Sequence, residues 1–236
     1  MNVQSHIIGV DGAKGAWLAV WQQDGELRHR VYATPEHLLA AHESARIIAV
    51  DIPMGLTDAG PRPTDKLARQ FVGGKRASSI FSAPIRGIID ATSQPEASRR
   101  HRAIDGRGYG AQAFGILPYV RAWDTLLRLN PSARQRVYEV HPEVSFAAMN
   151  GGSGIVLGKK TRDGARYRAS LLCKEFGVDS VSGLIERVSL REAAPDDVLD
   201  ALAAFWSARR IASDTALTLP ALPAADSEGL RMAIHY

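Results

Sequence analysis

The chain of 236 residues has a single cysteine, Cys173. A lone thiol cannot build an internal disulfide framework, and its scarcity suits a reducing compartment. No apolar run is long enough to cross a bilayer. The first residues lack the charged and apolar regions of a signal peptide. The expectation is a cytoplasmic protein with no membrane partner. No His/Cys cluster has zinc spacing, and there is no G-x-S-x-G nucleophile elbow. "GVDGAKG" has the spacing of neither nucleotide fingerprint. "GGKRASS" lacks the upstream glycine and the hydroxyl directly after lysine that a phosphate loop requires. A P-loop ATPase is therefore excluded. Repeats and low-complexity segments are also missing.

What remains is an ordinary globular composition. Hydrophobic residues make up 45% of the chain, and the formal net charge is +4. A packed core is expected. The mild basic excess suits a polyanionic partner without demanding one.

Apolar patterning predicts strands over 6–11 and 16–22. The Asp24–Gly25 turn leads to a third strand over 26–33, which completes an antiparallel meander. Thr34 and Pro35 read as the cap and first turn of a helix reaching about residue 44. The run 46–51 is nearly all apolar, as a strand buried on both faces should be. Residues 57–110 read as an insertion with short helical pieces. A long helix is expected over 111–130, kinked or restarted at Pro118. A fifth strand over 136–140 carries Glu139. "HPEVSFAAMNGG" reads as a short helix with a Gly-rich stop, Thr161 caps a helix over 162–176, and 195–213 is the clearest helix. "GLRMAIHY" suggests a late strand. Helical crossovers after three antiparallel strands predict a mixed sheet with helices on both faces.

The strands over 6–11 and 46–51 each end in an aspartate, Asp11 and Asp51. Carboxyl ends of strands line the ligand crevice of an open α/β sheet. Asp197 and Asp200, three apart, share one face of the last helix. Glu139 adds a further acid. Two unit charges about 4 Å apart repel by roughly 4 kcal/mol at an effective dielectric of 20. Proton sharing or a divalent cation resolves such crowding. Oxygen ligands favour Mg²⁺ or Mn²⁺ over zinc. A pair of such ions about 4 Å apart can activate water and steady the leaving oxygen of a phosphodiester.

The set "GVDGAKGAW", "AVDIPMGL", "ARQFVGGKRASSIFSAP", "YEVHPEVSF" and "PDDVLDALAAFWSA" resembles the domain of unknown function 429 family, over residues 6–213. That family is regarded as a group of ribonuclease H-like nucleases. The resemblance implies an α/β fold with a ribonuclease H-like mixed five-stranded sheet, three antiparallel strands plus parallel ones, and a single domain over 1–236 interrupted by the 57–110 insertion. It also implies a divalent-metal-dependent nuclease holding two Mg²⁺ or Mn²⁺ ions. Asp11 would be the central metal ligand, with Asp51, Asp197 and Asp200 completing the sites. Glu139 would join the catalytic acids. Lys14, Lys75, Arg76, Ser78 and Arg86 are candidate phosphate contacts on a nucleic-acid substrate, DNA or RNA.

Plainer roles compete for several residues. Asp196 complements the helix dipole, His141 caps a helix, and Glu143 is a first-turn acid. Lys159, Lys160 and Arg162 read as loop charge or as a mobile clamp. The four tryptophans sit in apolar patterns and read as core. Two other functions stay open. One is a nucleic-acid- or protein-binding module that does not cut. The other is a hydrolase of small phosphorylated molecules. A homodimer also stays open.

Overall fold

In the computed structural model, residues 6–236 are described. Strand β1 (Ile7–Ala13) turns through Lys14 and Gly15 into β2 (Ala16–Gln23), and β2 turns through Asp24 and Gly25 into β3 (Glu26–Tyr32). All four turn residues have positive φ, between 48° and 87°. That is the requirement of a two-residue turn whose twist matches the flanking strands. The second turn is the "DG" hairpin expected from sequence. The first lengthens β1 beyond the expected 6–11 boundary. Asp11 therefore lies inside the strand, opposite Leu18, because Gly12 and Ala13 go on pairing with Trp17 and Ala16.

Helix α1 (Pro35–Ala41) begins at Thr34, whose Oγ1 accepts the His37 backbone N–H at 3.3 Å. It crosses back to β4 (Ile47–Val50), which runs parallel to β1 in the register Val10 beside Val50. All four β4 residues are buried. Strand β5 (Val137–Glu139) lies parallel on the far side of β4. The sheet order β3-β2-β1-β4-β5, with three antiparallel strands and two parallel additions, is a ribonuclease H-like layout.

Between β4 and β5 the chain forms α2 (Pro63–Val72), two short 3₁₀ turns over Gly74–Ser79 and Arg86–Ile88, and α3 (Gln94–Asp105). The expected helix over 111–130 is two helices, α4 (Ala111–Phe114) and α5 (Leu117–Leu129). The break falls at Gly115–Ile116. Pro118 sits in the first turn of α5, where its missing N–H is no loss. A helix not expected from sequence, α6 (Pro131–Arg136), leads into β5.

After β5 come α7 (Pro142–Met149), α8 (Arg162–Phe176), α9 (Val178–Arg187) and α10 (Pro195–Ala212). Of these, α9 was not expected. The late strand is β7 (Arg231–His235), which pairs with β6 (Thr218–Ala225) in a separate hairpin rather than joining the main sheet.

Alternation along β1 and β2 divides the core. Ile8, Val10 and Trp17 face Leu38, Val120 and Trp123 of α1 and α5. Leu18 and Val20 pack with Leu171, Leu184, Leu199, Leu202 and Phe205 of α8, α9 and α10. Trp17 and Trp123 meet edge to face at 5.5 Å, fully in the core. No helix among the described residues is long and apolar enough to cross a membrane.

A candidate acidic site between β1, β4 and α10

Gly9 explains how α10 comes to lie on the sheet. A Cβ at this position would stand 2.0 Å from the Phe205 backbone nitrogen and 2.5 Å from the Ala201 carbonyl oxygen. Only a glycine admits the helix backbone so close to the strand. Side chains on a strand alternate between its faces, so residues 9 and 11 share the face that meets α10. Asp11 thus projects beside the turn of helix just N-terminal to Ala201, which carries Asp197 and Asp200.

Asp51 follows β4 directly, and its N–H donates to the Val10 carbonyl at 2.9 Å. This bond continues the parallel register by one residue and sets Asp51 beside Asp11. The two carboxyls stand close enough for each to act on the other's proton affinity. Asp11 and Asp200 are buried, while Asp51 keeps part of its surface open to solvent.

The electrostatics report this crowding. Burial, and then the charges of Asp51, Asp200 and Asp197, hold the Asp11 carboxyl well above the usual carboxylate range. Burial followed by Asp200 pushes Asp51 up to about 7, with Lys159 and the neighbouring Asp11 carboxyl opposing. Burial raises Asp200 to about 6 against the pull of Lys159. Asp197 is raised less: burial acts first, and the Ala194 N–H, which its Oδ2 accepts at 2.9 Å, opposes it. Asp197 therefore also closes the first turn of α10.

Among the described residues Lys159 is the cation bonded to the cluster. The Lys159 ammonium donates to Asp200 Oδ2 at 2.8 Å. Among the described residues no group of three or more His, Cys, Asp or Glu side chains stands ready as a metal cage. With Asp200 turned to Lys159, the acids are a surplus of negative charge rather than a finished coordination sphere. Their chemistry fits a hard divalent ion: every donor is a carboxylate oxygen, and the mutual repulsion would be relieved by it.

Glu139 pairs with Val50, beside Asp51, and its charge helps raise Asp51, but its carboxylate is engaged by other partners. Its Oε1 accepts from Arg62 NH2 at 2.7 Å, and its Oε2 accepts from Arg62 NH1 at 2.9 Å and the Met54 N–H at 2.8 Å. Glu143 is likewise taken up, by both oxygens on Arg168 at 2.7 and 2.9 Å and by Arg76 at 3.1 Å. His141 caps α7 as expected, its Nδ1 accepting the Glu143 N–H at 3.2 Å.

The candidate phosphate contacts divide. Lys14, in the β1–β2 turn, donates to the Leu190 carbonyl and is close enough to pull on Asp197. Lys75 is exposed; Ser78 donates to its carbonyl at 3.0 Å. Lys75 and Arg76 line a cleft of about 310 Å³ with Gly73, Gly74, Gly152 and Ser153. Arg86 lies apart, paired with Asp124 and Asp226.

Sequence reasoning missed Arg62, which drew no notice, and left Lys159 between loop charge and a mobile clamp. Neither sits at an informative spacing from the acid it meets, so only the folded chain reveals them.

No curated protein and no solved structure matches the chain. A family model does, over residues 9–225, and the chain belongs to that family, described as a protein of unknown function (DUF429).

Proposed function

We propose that the chain is a divalent-cation-dependent nuclease that hydrolyses phosphodiester bonds of nucleic acid on a ribonuclease H-like fold. The observation that carries this is the meeting of Asp11, Asp51 and Asp200, from two parallel strands and one helix, with their protons held unusually tightly. Such a surplus of buried carboxylate costs stability and is retained where a function uses it. A Mg²⁺ or Mn²⁺ ion would supply Lewis-acid activation of water and neutralise phosphate charge. Asp11, Asp51 and Asp200 would hold it, and Asp197 would shape the rim while closing α10.

Lys75 and Arg76, on the 3₁₀ turn beside the Gly73–Gly74 cleft, would grip the backbone of the nucleic acid. Among the described residues no carboxylate pairs with the Lys75 ammonium, which suits phosphate. A cytoplasmic location fits the single cysteine.

The test is Mn²⁺-dependent cleavage of labelled DNA and RNA by wild type and Asp11→Asn. We expect product from wild type and at least a hundredfold less from the variant, with unchanged circular dichroism. Salt-sensitive binding without product from either protein would favour a module that grips nucleic acid without cutting. Cleavage confined to small phosphodiesters would move the substrate to that class.

A further inference from the structure

We propose that the cleft beside Lys75, with the segment joining α7 to α8, is a platform for unstacked bases, and that the nucleic acid taken by this protein is single-stranded. This rests on the reading that the chain acts on nucleic acid, and it adds the strandedness of the substrate. The surface combines exposed apolar and aromatic side chains with cations.

Val156 and Leu157 are 75% and 44% exposed, and Val156 lines the cleft with Phe71 and Val72. The backbone on either side of the pair is fastened. Ile155 is buried in the core with Leu171 and Leu172. The Gly154 N–H donates to the Val72 carbonyl at 3.1 Å. A Cβ at Gly154 would stand 2.3 Å from that oxygen, so a glycine is needed for this approach. The buried Arg168 donates NH1 to the Leu157 carbonyl at 3.1 Å, and its NH2 holds both oxygens of Glu143. Val156 and Leu157 therefore stand on ordered backbone, and a ligand that covers them has little further ordering to offset.

Tyr167 of α8, 41% exposed, is tied to the same segment. Its hydroxyl donates to Asn150 Oδ1 at 2.7 Å, and Asn150 Nδ2 donates to the Ser153 carbonyl at 2.8 Å. Between Asn150 and Ser153 lie Gly151 and Gly152, both with positive φ, 71° and 85°. Nothing stands within 4 Å of a Cβ built at Gly74 or Gly152. These glycines leave the cleft of about 310 Å³ open between them.

Lys75 lines the cleft. Lys160, Arg162 and Arg166 follow along the chain between Leu157 and Tyr167, all exposed, and among the described residues none of the four is paired with a carboxylate. Asp163, also exposed, subtracts one charge from this group. Cations alone would serve phosphates and leave the valine, leucine and tyrosine without a use. In a duplex the base faces are stacked on one another and out of reach. A single strand offers phosphates to the cations and base faces to Tyr167 and Val156, the combination by which single strands are held without regard to sequence. A lipid surface also joins anions to apolar material, but it meets a convex face, and Val156 and Lys75 line a concavity.

The experiment measures binding to the full-length chain by fluorescence anisotropy, in a metal chelator so that nothing is cut. The probes are labelled DNA and RNA strands of about twelve nucleotides, their duplexes, and abasic strands of the same backbone. We expect the intact single strand to bind about tenfold more tightly than the abasic strand or the duplex, as stacking of a base allows. Val156→Ser and Tyr167→Ala should each bind the intact strand about fivefold more weakly and the abasic strand as wild type does. Tyr167→Phe keeps the ring and should keep the preference. Lys75→Gln should weaken intact and abasic strands alike. Circular dichroism checks that each variant is folded. Equal affinity for intact and abasic strands, or a preference for duplex, would overturn the platform and leave a protein that grips phosphates only. The expected pattern without Mn²⁺-dependent cleavage would uphold the platform and overturn only the catalytic reading. No binding to any nucleic acid would sink both, and capture of phosphatidylserine vesicles instead would assign the surface to a membrane.

Discussion

Two groups of buried acids lie in this molecule, and they are built differently. In the first, Glu139 and Asp65 flank Arg62. Asp65 Oδ1 accepts from Arg62 Nε and NH2, its Oδ2 accepts the Ala83 N–H at 2.8 Å, and Glu139 is bonded at both oxygens. Arg62 also donates to the Met54 and Gly55 carbonyls. Burial alone would favour loss of its proton, but Glu139 and Asp65 reverse that and bind it more tightly. Every carboxylate oxygen has a donor, and the group fastens the chain after β4 to β5 and α2. In the second, Asp11, Asp51 and Asp200 share one ammonium, and among the described residues no N–H reaches Asp11 or Asp51. Burial raises Glu139 to about 7 as it does Asp51, so what separates the two groups is the donors: the first has one for every carboxylate oxygen, and on the second the proposed ion binding rests.

Breaking the saturated group should have the larger effect. Arg62→Met leaves two buried carboxylates without their cation, and the loss of one member of a buried ion pair costs about 3–5 kcal/mol. Denaturant melts should show a loss of that order. A change below about 1 kcal/mol would mean that the acids there are neutral and the two groups are alike.

Relieving the surplus group should act in the opposite direction, and with pH. Asp51 has an ordinary value near 3.8 unfolded and about 7 folded. A folded-state value raised in this way favours the fold below the unfolded value, and that favour is lost as pH rises through 7. Its stabilising share should therefore fall between pH 4 and pH 8, by about 2 kcal/mol after allowance for its partial exposure. Asp51→Asn removes the effect, so the variant should gain on wild type as pH rises. Taking this difference cancels the contrary trend of His42, His141 and His235. Burial first pushes each of these down to about 4. Their contribution is present above the unfolded value of 6.5 and lost as pH falls. A flat difference between the two proteins would show that Asp51 is ionised at no cost.

The smallest expected effect is that of the ion itself. Mn²⁺ at ten times its dissociation constant should stabilise wild type by about 1.4 kcal/mol, a rise of a few degrees in Tm. Asp11→Asn should show none of it, and Arg62→Met should keep its own share if still folded. Equal shifts in all three would place the ion elsewhere on the surface.

Much of this was legible from local pattern. The all-apolar run before Asp51 gave β4, and Asp24–Gly25 gave the β2–β3 turn, because strand burial and positive φ are written in neighbouring residues. The pairing of Asp11 with Asp51 followed from two similar runs ending alike. The extent of β1 did not, because Lys14–Gly15 is a weaker turn signal than Asp24–Gly25. Helix α6 was hidden by its six-residue length, and α9 begins after Gly177 with no capping side chain to announce it. Glu139 was placed on the right strand, but strand position says nothing about a guanidinium 77 residues away in sequence. Lys159 is 41 residues from Asp200, and no periodicity links them.

By itself the sequence determined most of the main-sheet strands and longer helices, the division of the sheet into antiparallel and parallel parts, and which carboxylates stand next to buried apolar runs. These depend on side-chain volume, turn geometry and the periods of strand and helix, all of them short-range. Tertiary structure alone decided which acids are neutralised and which are left in surplus. That balance depends on cations delivered from distant loops, over a few ångströms of low-dielectric space where charge is strongly felt.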